Sequence, residues 1–113
     1  LMHYLNKRGF NTPRINELSE YFKKDEKDIL KILMIERNNN NLLIIKGEYI
    51  FTNQNYIKLL GEIDKHFKNQ DTLSIKEFKE ISQTTRKYAV PLLEYLDKDK
   101  VTYRLGNERK KYK

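Results

Sequence analysis

At 113 residues, with 35% charged and 38% hydrophobic residues, the chain has room for one ordinary domain or two very small ones around a thin, tyrosine-rich core. It has no cysteine, which excludes disulfides, zinc fingers and thiol chemistry, and no apolar run approaches the roughly 20 residues of a membrane span. The formal charge of +7 points to a polyanionic partner, with a merely solvated surface as the plain alternative.

In chain order, the spacing of apolar residues predicts a helix through Arg8, a second from Arg14 to Phe22 and a third from Asp25 to about Arg37. Asp25 is the expected N-cap of the third, with Asp28 at the third helical position. Asn38 to Asn41 read as a polar loop. A hairpin follows, Leu42 to Ile45 and Tyr49 to Thr52 around Lys46-Gly47. Asn53 is expected to cap a helix through about Asn69, with Ile57, Leu60, Ile63, Asp64 and Phe67 along one stripe. Thr72 to Ser74 read as extended, Ile75 to Ile81 as a helix, and Ser82 to Thr84 as a tight turn. A last helix runs to about Asp97, before a hairpin of Val101 to Leu105 and Arg109 to Tyr112 around Gly106-Asn107.

The chain echoes itself. Ile15 to Tyr21 and Ile75 to Ile81 match in pattern at an offset of 60, which also carries Ile29, Ile32 and Leu33 onto Ala89, Leu92 and Leu93. Helix, helix, turn, helix and hairpin, stated twice, is the winged helix-turn-helix order. The expected fold class is therefore α+β, mostly helical, with two tandem winged helix-turn-helix domains spanning 1–52 and 53–113. Residues 1–53 carry nine Lys and Arg against seven Asp and Glu, whereas 54–113 carry fourteen against nine. The second domain is the expected polyanion binder. The first, with Asp25, Glu26 and Asp28 where its third helix starts, reads as a spacer.

Within the last helix, a 100° wheel gathers Ala89, Leu92, Leu93 and Leu96 on one packing face. It sets Lys87, Val90, Pro91 and Glu94 on the other, so Pro91 is expected to face solvent or a partner. Thr84 or Thr85 is the expected cap. Behind it, open amides, the positive helix end and the Arg86 and Lys87 cations make a phosphate-binding arrangement. Lys76 and Lys79 on the preceding helix add charge, as do Arg104, Arg109, Lys110, Lys111 and Lys113 on or beside the wing. Tyr88 is a candidate for base stacking, while Tyr95 is expected to cover the core. His3 and His66 have no partner at metal-ligand spacing, and Glu77 and Glu80 lie beside lysines, so neither pair suggests catalysis.

Leu73 to Lys79, Thr84 to Asp97 (Thr-Thr-Arg-Lys-Tyr-Ala-Val-Pro-Leu-Leu-Glu-Tyr-Leu-Asp) and Val101 to Arg109 together resemble the last winged-helix domain of SelB, the bacterial selenocysteine-specific elongation factor. In that family the helix reads much like TSRKYALPLLEYLD and precedes VTRRVGDKR. Gln83-Thr84 and Tyr103 depart from the pattern, Tyr103 standing where a second arginine is common. The resemblance is dense over about 40 residues; the first domain shares only the layout.

The resemblance implies an mRNA partner, the selenocysteine insertion (SECIS) hairpin, with the chain as an RNA-binding piece of a longer factor. Leu1 in place of a start methionine fits that expectation. Ribosome and selenocysteinyl-tRNA would be met through domains elsewhere, and GTP with magnesium would be cofactors of a GTPase domain. The chain itself has no GxxxxGK run followed by Ser or Thr, so it is expected to bind and not to hydrolyse, with no cofactor. A monomeric, cytoplasmic protein with no membrane contact is expected. The expected RNA-binding residues are Lys76, Thr84, Thr85, Arg86, Lys87, Tyr88, Arg104, Asn107, Arg109 and Lys110. A DNA-binding winged-helix transcription regulator is the alternative.

Overall fold

The computed structural model describes residues 1–112; Lys113, counted above with the wing, lies outside them. The chain divides between Tyr56 and Ile57 into two units, four residues beyond the junction expected at 52/53.

In the first unit, α1 (Met2–Arg8), α2 (Ile15–Phe22) and α3 (Glu26–Asn38) precede a hairpin of β1 (Leu42–Ile45) and β2 (Tyr49–Thr52). Leu5, Leu18, Ile29, Leu33, Leu42 and Ile50 form its core. Each such buried side chain contributes about 1.5–3 kcal/mol. Lys23 closes α2 in the left-handed region at φ 54° and hands the chain to α3. Asp25 occupies the N-cap position, but its carboxylate makes no cap bond; the Ile29 amide reaches the Asp25 carbonyl instead.

The second unit contains most of α4 (Asn53–Asn69), then β3 (Leu73–Ser74), α5 (Ile75–Ser82), α6 (Arg86–Lys98), β4 (Thr102–Leu105) and β5 (Glu108–Lys111). Asn53 is the first helical residue and not the cap. The Thr52 hydroxyl takes that role, accepting the Asn55 amide at 3.1 Å. The buried stripe of α4 is also shifted by one residue. Tyr56, Leu59 and Ile63 are buried, whereas Ile57 is 59% exposed. Two candidate stripes share Ile63, and the 3-4 spacing from Tyr56 is the one the core selects.

Strands β3, β5 and β4 form one antiparallel sheet in that order, with Leu73 opposite Arg109 and Arg104 opposite Arg109 from the other side. Among the described residues the first unit has only the two-stranded hairpin. The position equivalent to Leu73 there is Pro13, which has no N–H to donate to a strand partner. Ser74 starts α5 with a reciprocal box: its hydroxyl accepts the Glu77 amide at 3.1 Å, and its own amide donates to Glu77 Oε1 at 2.9 Å.

The duplication is visible in the backbone. α2 and α5, α3 and α6, and β1 and β4 each begin and end 60 residues apart. Left-handed Lys23 and Asn40 recur as Gln83 and Lys100. The offset drops to 59 after the wing turn, because the second wing has a two-residue loop where the first has three.

Pro91 departs from expectation: it is buried, together with Ala89, Leu92, Leu93 and Leu96. The covered arc of α6 runs from Pro91 past half-buried Tyr95 and Tyr88 to the leucine stripe, more than half the circumference. Ala89, Leu92, Leu93 and Leu96 span only about 100° of the wheel, a narrower stripe than the arc the fold covers. The helix stays continuous through Pro91, forgoing the one bond to the Lys87 carbonyl.

Candidate nucleic-acid interface

Helix α6 begins where Gln83 turns the chain at φ 53° and Thr85 takes the N-cap position. The Thr85 hydroxyl makes no cap bond, while the Tyr88 and Ala89 amides reach the Thr85 carbonyl. The Arg86 and Lys87 amides therefore have no helical acceptor and sit at the positive end of the helix beside two exposed cations. Lys87 Nζ lies 5.3 Å from the centroid of the Tyr88 ring.

Between this helix start and the wing lies a cleft of about 430 Å3, lined by Arg86, Val90, Leu93 and Glu94 of α6, Ile75 of α5, and Arg104, Asn107 and Arg109 of the wing. The structure thus brings together Arg86, Arg104, Asn107 and Arg109 of the sequence-predicted set. Thr84, Thr85, Lys87 and Tyr88 flank it along the chain. Lys76 is exposed on α5 outside the lining.

Lys110 falls on the other face of the wing. Side chains alternate along strands, so Arg104 and its partner Arg109 share one face while Tyr103 and its partner Lys110 share the opposite one.

The three cleft arginines are not equivalent. Arg86 and Arg104 are exposed; Arg104 Nε donates to the Gly106 carbonyl at 3.0 Å, across the wing turn. Arg109 is buried, and its Nη2 and Nε donate to Asp97 Oδ2 at 3.0 and 3.3 Å. Asp97 Oδ1 accepts the Thr102 hydroxyl at 2.6 Å, so one α6 carboxylate ties down both wing strands. Sequence reasoning did not find Asp97. At the repeat offset Arg37 becomes Asp97, a charge reversal visible in the sequence, but its partner Arg109 takes the place of Ile50 only when the two wings are aligned by strand register.

The first unit provides a copy of the cleft with different chemistry. Its equivalent, about 150 Å3, is lined by Ile15, Leu30, Leu33, Met34, Arg37, Ile44, Gly47 and Ile50. The cross-strand pair Ile44–Ile50 corresponds to Arg104–Arg109, Met34 to Glu94, and Leu30 to Val90. Two guanidinium groups directly opposite each other would repel. Asp97 neutralises one, leaving Arg86 and Arg104 as accessible cations against the single carboxylate of Glu94.

Among supporting groups, the Ser74 amide holds the Glu77 carboxyl below its ordinary pKa, with the Ser74 hydroxyl and His66 acting in the same direction against partial desolvation. Burial pushes the Tyr95 phenol up, in keeping with a ring that covers the core. His66 Nε2 lies 2.8 Å from the Thr72 carbonyl, a structural contact at the edge of the core. No group of three or more His, Asp or Glu among the described residues could hold a metal ion.

The family model described as "Elongation factor SelB, winged helix" matches residues 65–110, which contain α5, α6, β4, all of β5 but Lys111, and the whole cleft. The second unit is thus similar to the SelB winged helix over that stretch. All ten sequence-predicted site residues lie inside the matched stretch. A selenocysteine-specific elongation factor from Desulfomicrobium baculatum is 28% identical over 83 residues, covering 74% of this chain and 13% of that protein. The chain thus spans about an eighth of the relative's length. The mRNA-binding domain of elongation factor SelB from E. coli, solved in complex with SECIS RNA, superposes with a TM-score of 0.76 at 20% identity, covering 88% of this chain and 82% of that one. That likeness shows the fold. Bacterial selenocysteine-specific elongation factor EF-Sec superposes with a TM-score of 0.66 at 27% identity, over 98% of this chain and 19% of that one.

Proposed function

We propose that the chain is the RNA-binding part of a selenocysteine-specific elongation factor and holds a SECIS mRNA hairpin against the cleft of its SelB winged helix. The observation that carries this reading is the change from an Ile44–Ile50 pair in the first unit's cleft to an Arg104–Arg109 pair in the equivalent cleft of the second. It falls in the unit that matches the family and carries the larger share of positive charge. Arg86 and Arg104 supply phosphate contacts, and the open amides of α6 donate to a further phosphate or to an acceptor on a loop base edge. Glu94 repels a backbone that enters along the body of the helix, which favours approach at its tip. Exposed Lys87 and Glu94 with half-buried Val90 between them make a poor major-groove reader, so duplex DNA is the second reading.

On this reading the chain performs no catalysis. GTP, magnesium, selenocysteinyl-tRNA and the ribosome are met by other parts of a longer cytoplasmic protein, and this part is a monomer. The test is competition between a SECIS stem-loop and a DNA duplex of equal length for the purified chain. Preference for the stem-loop, with a salt slope that shrinks for Arg86→Ala and Arg104→Ala, is the expected result. Equal affinity for both, or slopes that do not move, overturns it.

A further inference from the structure

The two faces of the wing differ in what covers them. In the first unit the outer face of the hairpin is closed: Ile45 and Phe51 are buried, and the Phe10 ring lies 5.6 Å from that of Phe51. Phe10 comes from the segment linking α1 to α2. At the repeat offset its place is taken by Gln70, which is exposed, and the same sheet face in the second unit is open.

That open face is not polar. Tyr103 is 41% exposed, Leu105 57% and Tyr112 41%, with the two tyrosine rings edge to face at 6.4 Å. Lys110 is the cross-strand partner of Tyr103 and precedes Tyr112 by two residues, so it shares this face with both rings. Glu108 lies at the far end opposite Leu105, and its carboxylate accepts the Thr72 hydroxyl at 3.3 Å. The sheet therefore presents two aromatic faces and an aliphatic one around a cation. Directly through the sheet, on the other face, are Arg104 and Arg109 of the cleft.

We infer that the outer face of the second wing is a stacking site for unpaired nucleotides of the same RNA, with Tyr103 and Tyr112 under the bases and Lys110 on the intervening phosphate. Rings with a neighbouring cation suit single-stranded nucleic acid, because every base has a π-face and every linkage a charge. An apolar protein segment would gain nothing from Lys110. Positive charge and continuity with the cleft both favour RNA as the occupant. A strand leaving the cleft needs only to cross the edge of a two-stranded wing to reach it. This inference rests on the RNA-binding reading and extends the binding site from one face of the wing to two.

The experiment uses the whole chain and two RNAs, a blunt stem-loop and the same stem-loop with a four-nucleotide unpaired tail containing 2-aminopurine. Binding is followed by anisotropy and by 2-aminopurine fluorescence. The tail is expected to tighten binding about tenfold per stacked base and to lose fluorescence on binding. Tyr103→Phe retains both effects. Tyr103→Leu, which keeps an apolar strand residue, and Tyr112→Ser each remove most of the gain from the tail and leave the blunt stem-loop unchanged. Equal affinity for the two RNAs in the unmodified chain, or a gain from the tail that survives Tyr103→Leu, overturns the inference. So does self-association abolished by Tyr103→Leu with no change in RNA affinity. Failure of the RNA reading itself would look different: Arg86→Ala and Arg104→Ala would then leave binding of the blunt stem-loop unchanged.

Discussion

Asp97 and Arg109 lock the last strand of the wing onto α6: two nitrogens of a buried guanidinium meet one carboxylate oxygen, while the other oxygen takes the Thr102 hydroxyl. The pair substitutes for apolar packing that the first unit makes with Ile50. An ion pair in such a place is a weak source of net stability, but breaking it is costly because one charge remains buried.

Asp97→Asn is therefore expected to lower the stability of the second unit by about 2–3 kcal/mol, read from the urea midpoint. Changing the pair together to Asp97→Leu and Arg109→Ile should recover most of that loss. If the double variant is no better than the single one, the pair is not the coupled unit described.

Arg86 and Arg104 are exposed cations, whereas Arg109 is neutralised where it stands. Each of Arg86→Ala and Arg104→Ala should reduce the slope of log K against log salt by about 0.7 to 0.9. Arg109→Ala should weaken binding mainly through loss of wing order, visible as a drop in thermal stability with little change of slope. A full unit of slope lost at Arg109 would place it on a phosphate after all.

The Ser74–Glu77 box gives the second unit a pH dependence. The folded pKa of Glu77 lies below the ordinary 4.5, so its carboxylate stabilises the fold above that pH, and this contribution is lost as pH falls through the lowered folded value. Glu77→Gln should flatten the loss of thermal stability as the pH falls below 4.5. An unchanged acid limb would show that other carboxylates dominate.

Pro91→Ala balances three effects. Restoring a helical amide favours the variant by about 3 kcal/mol. Removing buried methylenes opposes it at about 0.8 kcal/mol each, and the freer unfolded chain opposes it by a further 0.4–1. The net change is expected within about 1 kcal/mol, with a new slowly exchanging amide at position 91. Destabilisation beyond 2 kcal/mol would mean that the ring itself is a shaped part of the core.

Much of this was legible in the chain because local rules agreed with the fold. Strand ends at Leu42, Ile45, Tyr49 and Thr52 follow from apolar runs around Lys46-Gly47. Ala89, Leu92, Leu93 and Leu96 follow from period alone. The misses lie where tertiary context decides. Pro91 is buried by neighbours that a helical wheel does not contain. The stripe of α4 had two phases sharing Ile63. Asp97 could be valued only by knowing that Arg109 points inward, and the split of Arg104 and Lys110 between faces required the strand register.

The missing residue in the second wing loop reaches well past the loop. Constant spacing between the two halves would equate Arg109 with Tyr49, a residue on the opposite side of its hairpin, and the substitution would look like one surface group for another. Counted through the strand register, Arg109 stands for Ile50 instead. A deletion of one in a hairpin inverts the inside–outside phase of everything downstream on that strand. Kindred chains with wing loops of different length must accordingly be compared ladder rung by ladder rung, or their inward-facing cations will be mistaken for decoration.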